Sequence, residues 1–388
     1  MKISYGRQDI QETDVESVIQ VLKSDFLTQG PMVPRFEDEL KKSCEADFAV
    51  AVNSATSALH IALLSLDVGP GDIVWTSPNT FVASSNAALY CGASVDFVDI
   101  DPHSYNMCPQ QLEQKLSQAY TAGNLPKVVI PVHFAGQPCD MQSIAELATE
   151  YGFKVVEDAS HAIGGKYLGH PIGKCNHSDI TIFSFHPVKI ITTGEGGAAL
   201  TNHKTLAQRM VLLRSHGVTR DSLQMRKDVA GPWYYEQTCL GFNYRMSDLH
   251  AALGVSQLAR LGDFVKLRHQ IAERYRVGLQ GLPLNLPSQL EGTYSSLHLF
   301  VVRLKLNEMK QLDQRSFFEA MHSRGIMVAL HYIPVHTQPF YQELGFQCGD
   351  FPAAEAYYEE AVSLPIHANL NQFDQQKVID ALHEILSE

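Results

Sequence analysis

Between residues 33 and 202 the apolar positions switch repeatedly between a helical period and runs of β type. Residues 33–44 carry Phe36, Leu40 and Cys44 at helical spacing, and 55–66, 80–90, 110–120 and 141–151 read as further helices. Residues 48–52, 73–75, 94–98, 128–132, 153–157, 179–184 and 197–200 read as strands. Several, VVIPV at 128–132 most clearly, are apolar at every position, as in a parallel sheet covered on both faces. Strands alternating with helices predict an α/β layer around a mostly parallel sheet. From Leu206 the pattern changes. A long helical stretch covers 246–279, then a strand at 296–304, a helix at 314–323, a strand at 326–330 and helices at 353–363 and 373–386. We expect a large domain at 1–250 and a smaller C-terminal α/β domain at 251–388, with the 246–279 helix bridging them.

Composition narrows the function classes. Of 388 residues 45% are hydrophobic and 19% charged, which suits a large core and excludes a disordered chain. The net charge of −12 and the absence of a Lys/Arg run argue against a nucleic-acid partner. The start, MKISYGRQDI, lacks an apolar signal segment, and no apolar run approaches the roughly 20 residues of a membrane helix. Seven cysteines without a CxxC pair predict reduced thiols and a cytoplasmic location. The 17 histidines include no HExxH, and His331 and His336 flank Pro334, so no metal site is expected.

Ligands of open α/β sheets sit beyond the carboxyl ends of strands. Three such places carry candidate chemistry. Asn53-Ser54-Ala55-Thr56-Ser57 opens a helix, which makes either an anion site or an ordinary N-cap. Asp158 follows the 153–157 strand and suits a cationic ring nitrogen or a metal, or else a helix or turn cap. Lys189 follows the 179–184 strand in an apolar segment, where burial would lower its pKa and free the amine as a nucleophile. A phosphate cradle, a carboxylate and a desolvated lysine together match the needs of pyridoxal 5′-phosphate (PLP).

The segments NSATSALHIAL, TSPNTFVASSNAALYCGA, VVEDASHAIGGKYLG, DITIFSFHPVKIITTGEGGAALTN and GFNYRMSDLHAALGVSQL resemble the DegT/DnrJ/EryC1/StrS sugar aminotransferases, in the family's order. The resemblance implies the PLP-dependent fold type I of aspartate aminotransferase and a homodimer with shared active sites. It implies that Lys189 forms the Schiff base with PLP and that Asp158 pairs with the ring nitrogen. It sets His161 against the ring or near its phenolic oxygen, the alternative being a packed core histidine. Phe81 covers the other face or is simply a core phenylalanine. Ala55, Thr56, Ser57 and Ser184 meet the phosphate, and Asn243 reaches it from the neighbouring subunit unless it only makes a turn. Tyr5, the loop Asp25, Phe26, Leu27 and Thr28, and the run Leu330, His331, Tyr332 and Ile333 fall near the sugar nucleotide. For Tyr5, an interface or core aromatic is the alternative.

Further segments (LTQGP, LRSHGV, PWYYEQ, ALHYIPVHTQPFYQELGF, SLPIHANL) resemble members acting on a UDP-linked 4-keto-6-deoxy-N-acetyl hexose. The implied amino donor is L-glutamate. Family dehydratases replace the lysine with histidine, and Lys189 is present. A PLP-binding regulator would need a basic recognition helix, and a desulfurase a mobile-loop cysteine; neither context occurs. Pro187, an unusual neighbour for the lysine, is expected at the strand's end, where its missing N–H is harmless.

Overall fold

Seven strands form the central sheet in the order Phe48–Val52, Gly197–Thr201, Ile180–Ser184, Lys154–Asp158, Val128–Ile130, Ile73–Thr76, Ser94–Phe97. Neighbours from Ile180–Ser184 to Ser94–Phe97 pair in parallel, while Gly197–Thr201 runs antiparallel to both its neighbours. This computed structural model describes residues 2–309 and 312–386. The sheet is mostly parallel, as the continuously apolar strands predict: Val128, Val129 and Ile130 are all buried, as are all five residues of Ile180–Ser184. The helix Ala55–Ser65 is apolar nearly all round and buries eight of its eleven residues. Met141–Tyr151 ends at Gly152, whose φ of 80° a side chain would resist.

Several elements differ from the sequence pattern. The 246–279 stretch is two helices, Asp248–Leu258 and Leu261–Gly278, broken at Ala259 and Arg260. The apolar period runs through the break because Leu258 and Leu261 are buried in one cluster. The 353–363 stretch is a helix, Pro352–Glu360, followed by a strand, Ala361–Leu364. Pairing of that strand with Phe300–Leu304 overrides the helical run. The 296–304 strand begins only at Phe300, and the 326–330 strand shortens to Ile326–Met327. Helices Glu12–Leu22 and Lys204–Arg214 bury two residues each, too few to show an apolar stripe.

Two groups of core residues meet along Leu261–Gly278. Its Leu261, Phe264 and Val265 pack with Phe36 and Phe183 of the sheet region. Its Ile271, Ala272 and Tyr275 pack with Phe300, Phe317 and Leu382. The N-terminal strand Ile3–Ser4 pairs in parallel with Ile326–Met327, which places Ile3 in the second group. Among the described residues no helix is long and apolar enough to cross a membrane.

Asp248 ties the chain's beginning to the sheet region. Its buried carboxylate accepts the N–H groups of Gly30 (2.5 Å), Met32 (3.1 Å) and Val33 (2.9 Å), which open the helix Met32–Cys44. That helix has no cap from its own sequence, so a residue 216 positions away supplies one. Asp248→Ala is expected to lower unfolding stability by about 2–4 kcal/mol, since one buried and two part-buried N–H groups lose their shared carboxylate acceptor. Urea titration checks this; a midpoint within error of the parent's counts against the cap.

Candidate active site

The strands Phe48–Val52, Lys154–Asp158 and Ile180–Ser184 point the same way, so the residues after them gather at one edge of the sheet. There they line a cavity of about 300 Å³. Ser54 caps the helix Ala55–Ser65 by accepting the N–H of Ser57 at 3.1 Å. Ala55, Thr56 and Ser184 line the cavity, at the positive end of that helix. Ser57 is turned into the cap: its hydroxyl donates to Asn53 Oδ1 at 2.7 Å, away from the lining residues. Gly197 lets the antiparallel strand press against this end. A Cβ there would stand 2.5 Å from the Ala55 nitrogen.

Lys189 follows Ser184 through a turn closed by its own N–H to His186 O at 2.9 Å. Pro187 lies in that turn, beyond the strand, where no sheet hydrogen bond is lost. The lysine side chain lines the cavity. Burial pushes its amine down to about 8, and the opposing pull of the Asp158 carboxylate is weaker. Asp158 is 5% exposed and is the last residue of its strand, one further than the pattern indicates. Its Oδ2 accepts the Ser84 hydroxyl at 2.6 Å and its Oδ1 the N–H of Ser160 at 3.1 Å. The Ser84 oxygen lies 2.8 Å from the Thr80 hydroxyl. Two donors leave further lone pairs of the carboxylate open to the cavity it lines.

His161 is buried and its tautomer follows from its partners. Nδ1 accepts the N–H of Ala135 (3.3 Å), so the proton sits on Nε2, 3.1 Å from the Tyr332 hydroxyl. Burial and the neighbouring Lys189 hold it well below its ordinary value, so it is neutral. Phe81 stands at the mouth, 59% exposed, its ring 6.1 Å from that of Tyr332.

Of the positions assigned to the sugar nucleotide, Tyr5, His331 and Tyr332 line the cavity. Leu330 packs against the core and Ile333 is exposed. Asp25, Phe26, Leu27 and Thr28 are exposed and lie outside the lining, beside the start of Asp248–Leu258, where Asp248 N–H donates to Leu27 O. Asn243 is also exposed and outside its own chain's lining. Sequence reasoning missed Ser84 and His298. A serine inside a helix reads as small-residue packing, and the histidine falls within the 296–304 run that reads as a strand, so neither carried a signal.

A desolvated amine, a buried carboxylate and a hydroxyl-lined helix N-terminus, converging on one cavity, fit PLP by their chemistry and define an enzyme of the PLP-dependent class. Residues 8–383 match the DegT/DnrJ/EryC1/StrS aminotransferase family, and the chain belongs to it. It is 39% identical over 388 residues to the spore coat polysaccharide biosynthesis protein SpsC of Bacillus subtilis, covering 99% of this chain and 97% of that one. It is 35% identical over 387 residues to the UDP-4-amino-4,6-dideoxy-N-acetyl-beta-L-altrosamine transaminase of Campylobacter jejuni, with the same coverage. The structure of Helicobacter pylori PseC, an aminotransferase involved in pseudoaminic acid biosynthesis, superposes with a TM-score of 0.89 at 30% identity over 100% of both chains. The protein is therefore a PLP-dependent sugar aminotransferase with the fold of these enzymes.

The depressed amine gives a pH prediction. As pH rises through about 8, Lys189 loses its proton and becomes nucleophilic, whereas a solvated lysine does so only near 10.4. The initial rate of PLP capture by cofactor-free protein, trapped with borohydride and read by peptide mass spectrometry, is expected to have its midpoint near 8. A midpoint near 10 would contradict the desolvated site.

Proposed function

We propose that this aminotransferase moves the amino group of L-glutamate to C4 of a UDP-linked 4-keto-6-deoxy-N-acetyl hexose, in pseudaminic acid biosynthesis. The observation that carries this reading is the full-length likeness to the Campylobacter jejuni transaminase, joined to a cavity walled by Lys189 and Asp158. The likeness to SpsC supports a second reading, another nucleotide-linked ketosugar as acceptor. Mass spectrometry of products from UDP-, GDP- and dTDP-linked 4-ketosugars with glutamate decides between them. Amination of only a GDP or dTDP sugar would sink the first.

Lys189 holds the cofactor, and its neutral amine then carries the proton away from the donor's α-carbon. PLP, when bound, supplies the electron sink for the charge left behind. Asp158, fixed by Ser84, would pair with the ring nitrogen and favour its protonated form. The first turn of Ala55–Ser65, with Thr56 and Ser184, holds the phosphate. His161, kept neutral and oriented by Ala135 and Tyr332, would contact the ring. Tyr5, His331 and Tyr332 face the sugar.

The working unit in this reading is a homodimer. Lys189 is the one Lys or Arg lining the cavity among the described residues, and it must be neutral to act. The dianionic phosphate and the donor's carboxylates call for groups from elsewhere. Asn243 is exposed and absent from its own chain's lining, which supports its serving the partner's site. The free thiols suit a reducing compartment, the cytoplasm.

Asp158→Asn is expected to fold and bind PLP, yet slow the single-turnover reaction with glutamate about a hundredfold or more, since an amide cannot hold the ring proton. An unchanged stopped-flow rate would remove Asp158 from its role. The dimer is tested with hybrids. When Lys189→Ala and Asn243→Ala chains are mixed, a phosphate contact across the interface leaves one site with both lesions and one with neither. At limiting PLP such hybrids should recover up to one site's activity per dimer. If Asn243 serves its own chain, every site carries a lesion and no rescue appears.

A further inference from the structure

Residues 295–299, just before the strand Phe300–Leu304, are held from several sides. The Ser296 hydroxyl donates to His161 O at 2.7 Å, and Leu299 N–H to Ala135 O at 3.3 Å. Gly136 leaves the room for this: a Cβ there would meet the Ser296 hydroxyl at 2.5 Å. Arg268, 2% exposed, pairs with backbone instead of a carboxylate. Its guanidinium donates to the carbonyls of Leu297 (3.2 Å), His298 (3.0 Å) and Ile366 (3.0 Å). Leu297 sits at φ 51°, a left-handed conformation that costs a leucine energy and persists only where its surroundings impose it.

All of this sets one side chain on the cavity wall. The His298 imidazole lines the cavity, its ring centroid 4.4 Å from that of His161. It is 4% exposed, and its Nδ1 has no hydrogen-bond partner. Buried polar groups are paired as a rule; His336 and His367 also leave Nδ1 unpaired, but of the three only His298 lines the cavity, where a bound ligand can supply the missing partner. His161, beside it, has both nitrogens engaged and no capacity to spare.

We propose that His298 is a substrate-contacting residue that hydrogen-bonds an uncharged oxygen, hydroxyl or keto, on the sugar of the acceptor. The proposal rests on the acceptor being a nucleotide-linked ketosugar, as above. Burial, with Lys189, Arg268, His161 and His331 around it, keeps the imidazole neutral. A neutral imidazole offers one donor and one acceptor, the complement of a hydroxyl, and no charge for a carboxylate or a diphosphate. His298 therefore serves the sugar half of the reaction and leaves the glutamate half alone.

The test compares PLP-loaded parent, His298→Leu and His298→Gln, with circular dichroism and the cofactor absorbance confirming that each is folded and loaded. Single-turnover rates are measured separately: with glutamate on the PLP form, and, after conversion to the pyridoxamine phosphate form and removal of glutamate, with the UDP-linked 4-keto-6-deoxy-N-acetyl hexose or whichever ketosugar of the panel the parent aminates. In His298→Leu the acceptor kcat/KM is expected to fall about tenfold or more, the loss from one unmade hydrogen bond. The glutamate half-reaction should stay within about threefold, and His298→Gln should recover part of the acceptor loss. Calorimetry with UDP-N-acetylglucosamine, which cannot turn over, gives a second readout: weaker binding in His298→Leu, with UDP itself unchanged. Equal losses in both half-reactions mean a structural role and overturn the proposal, as does unaltered acceptor kinetics or sugar binding. A parent that aminates no ketosugar yet binds the sugar nucleotide overturns the functional reading while the calorimetry still decides on His298.

Discussion

Keeping the Lys189 amine out of water is the constraint on which the rest of the site depends. An ammonium is among the most strongly hydrated groups in a protein, and enclosing it favours the neutral form. Asp158 opposes that effect, because a carboxylate favours the charged amine, yet burial dominates and leaves the amine near 8. The Ser84 and Ser160 donors occupy part of the carboxylate and fix its position beside the amine. The site thus holds an acid and a base within one cavity without locking them into a spent ion pair.

The histidines around the amine follow from the same constraint. His161 and His298 are both held well below the ordinary range by burial first, and His331 to about 4. A positive charge on any of them would have to share a dry cavity with its neighbours and with Lys189. Kept neutral, they direct their hydrogen bonds instead: His161 to Ala135 and Tyr332, His331 to the Ser363 hydroxyl at 2.8 Å. These histidines add directional hydrogen-bonding groups to the cavity wall without adding charge to it.

The strand bearing Asp158 is anchored from its opposite face. Glu157, the preceding residue, points the other way and is hydrogen-bonded with His133 at 2.7 Å and by Thr181 at 3.0 Å. Asp158 N–H in turn donates to Pro131 O, and His133 N–H to Asp158 O. The end of this strand is thus held by hydrogen bonds from its side chains on both faces and from its backbone.

Much of this protein was legible in the order of its residues. Period and apolarity located the central strands, since a parallel sheet buried on both faces demands continuous Val and Ile runs such as 128–130. Asp158, Lys189 and the start of Ala55–Ser65 stood out because they lie at or shortly beyond the ends of such strands, where ligands of α/β sheets bind. The strand at Ala361–Leu364 was not legible, because a partner 60 residues away decides its pairing. Nor was the break at Ala259 and Arg260, where the apolar pattern continues unbroken. Ser84 behind Asp158 and His298 beside His161 stand 74 and 137 positions from the residues they adjoin. Local sequence sets period, capping and turn chemistry, but which distant side chains share a dry cavity is decided only when the sheet closes and removes the water between them.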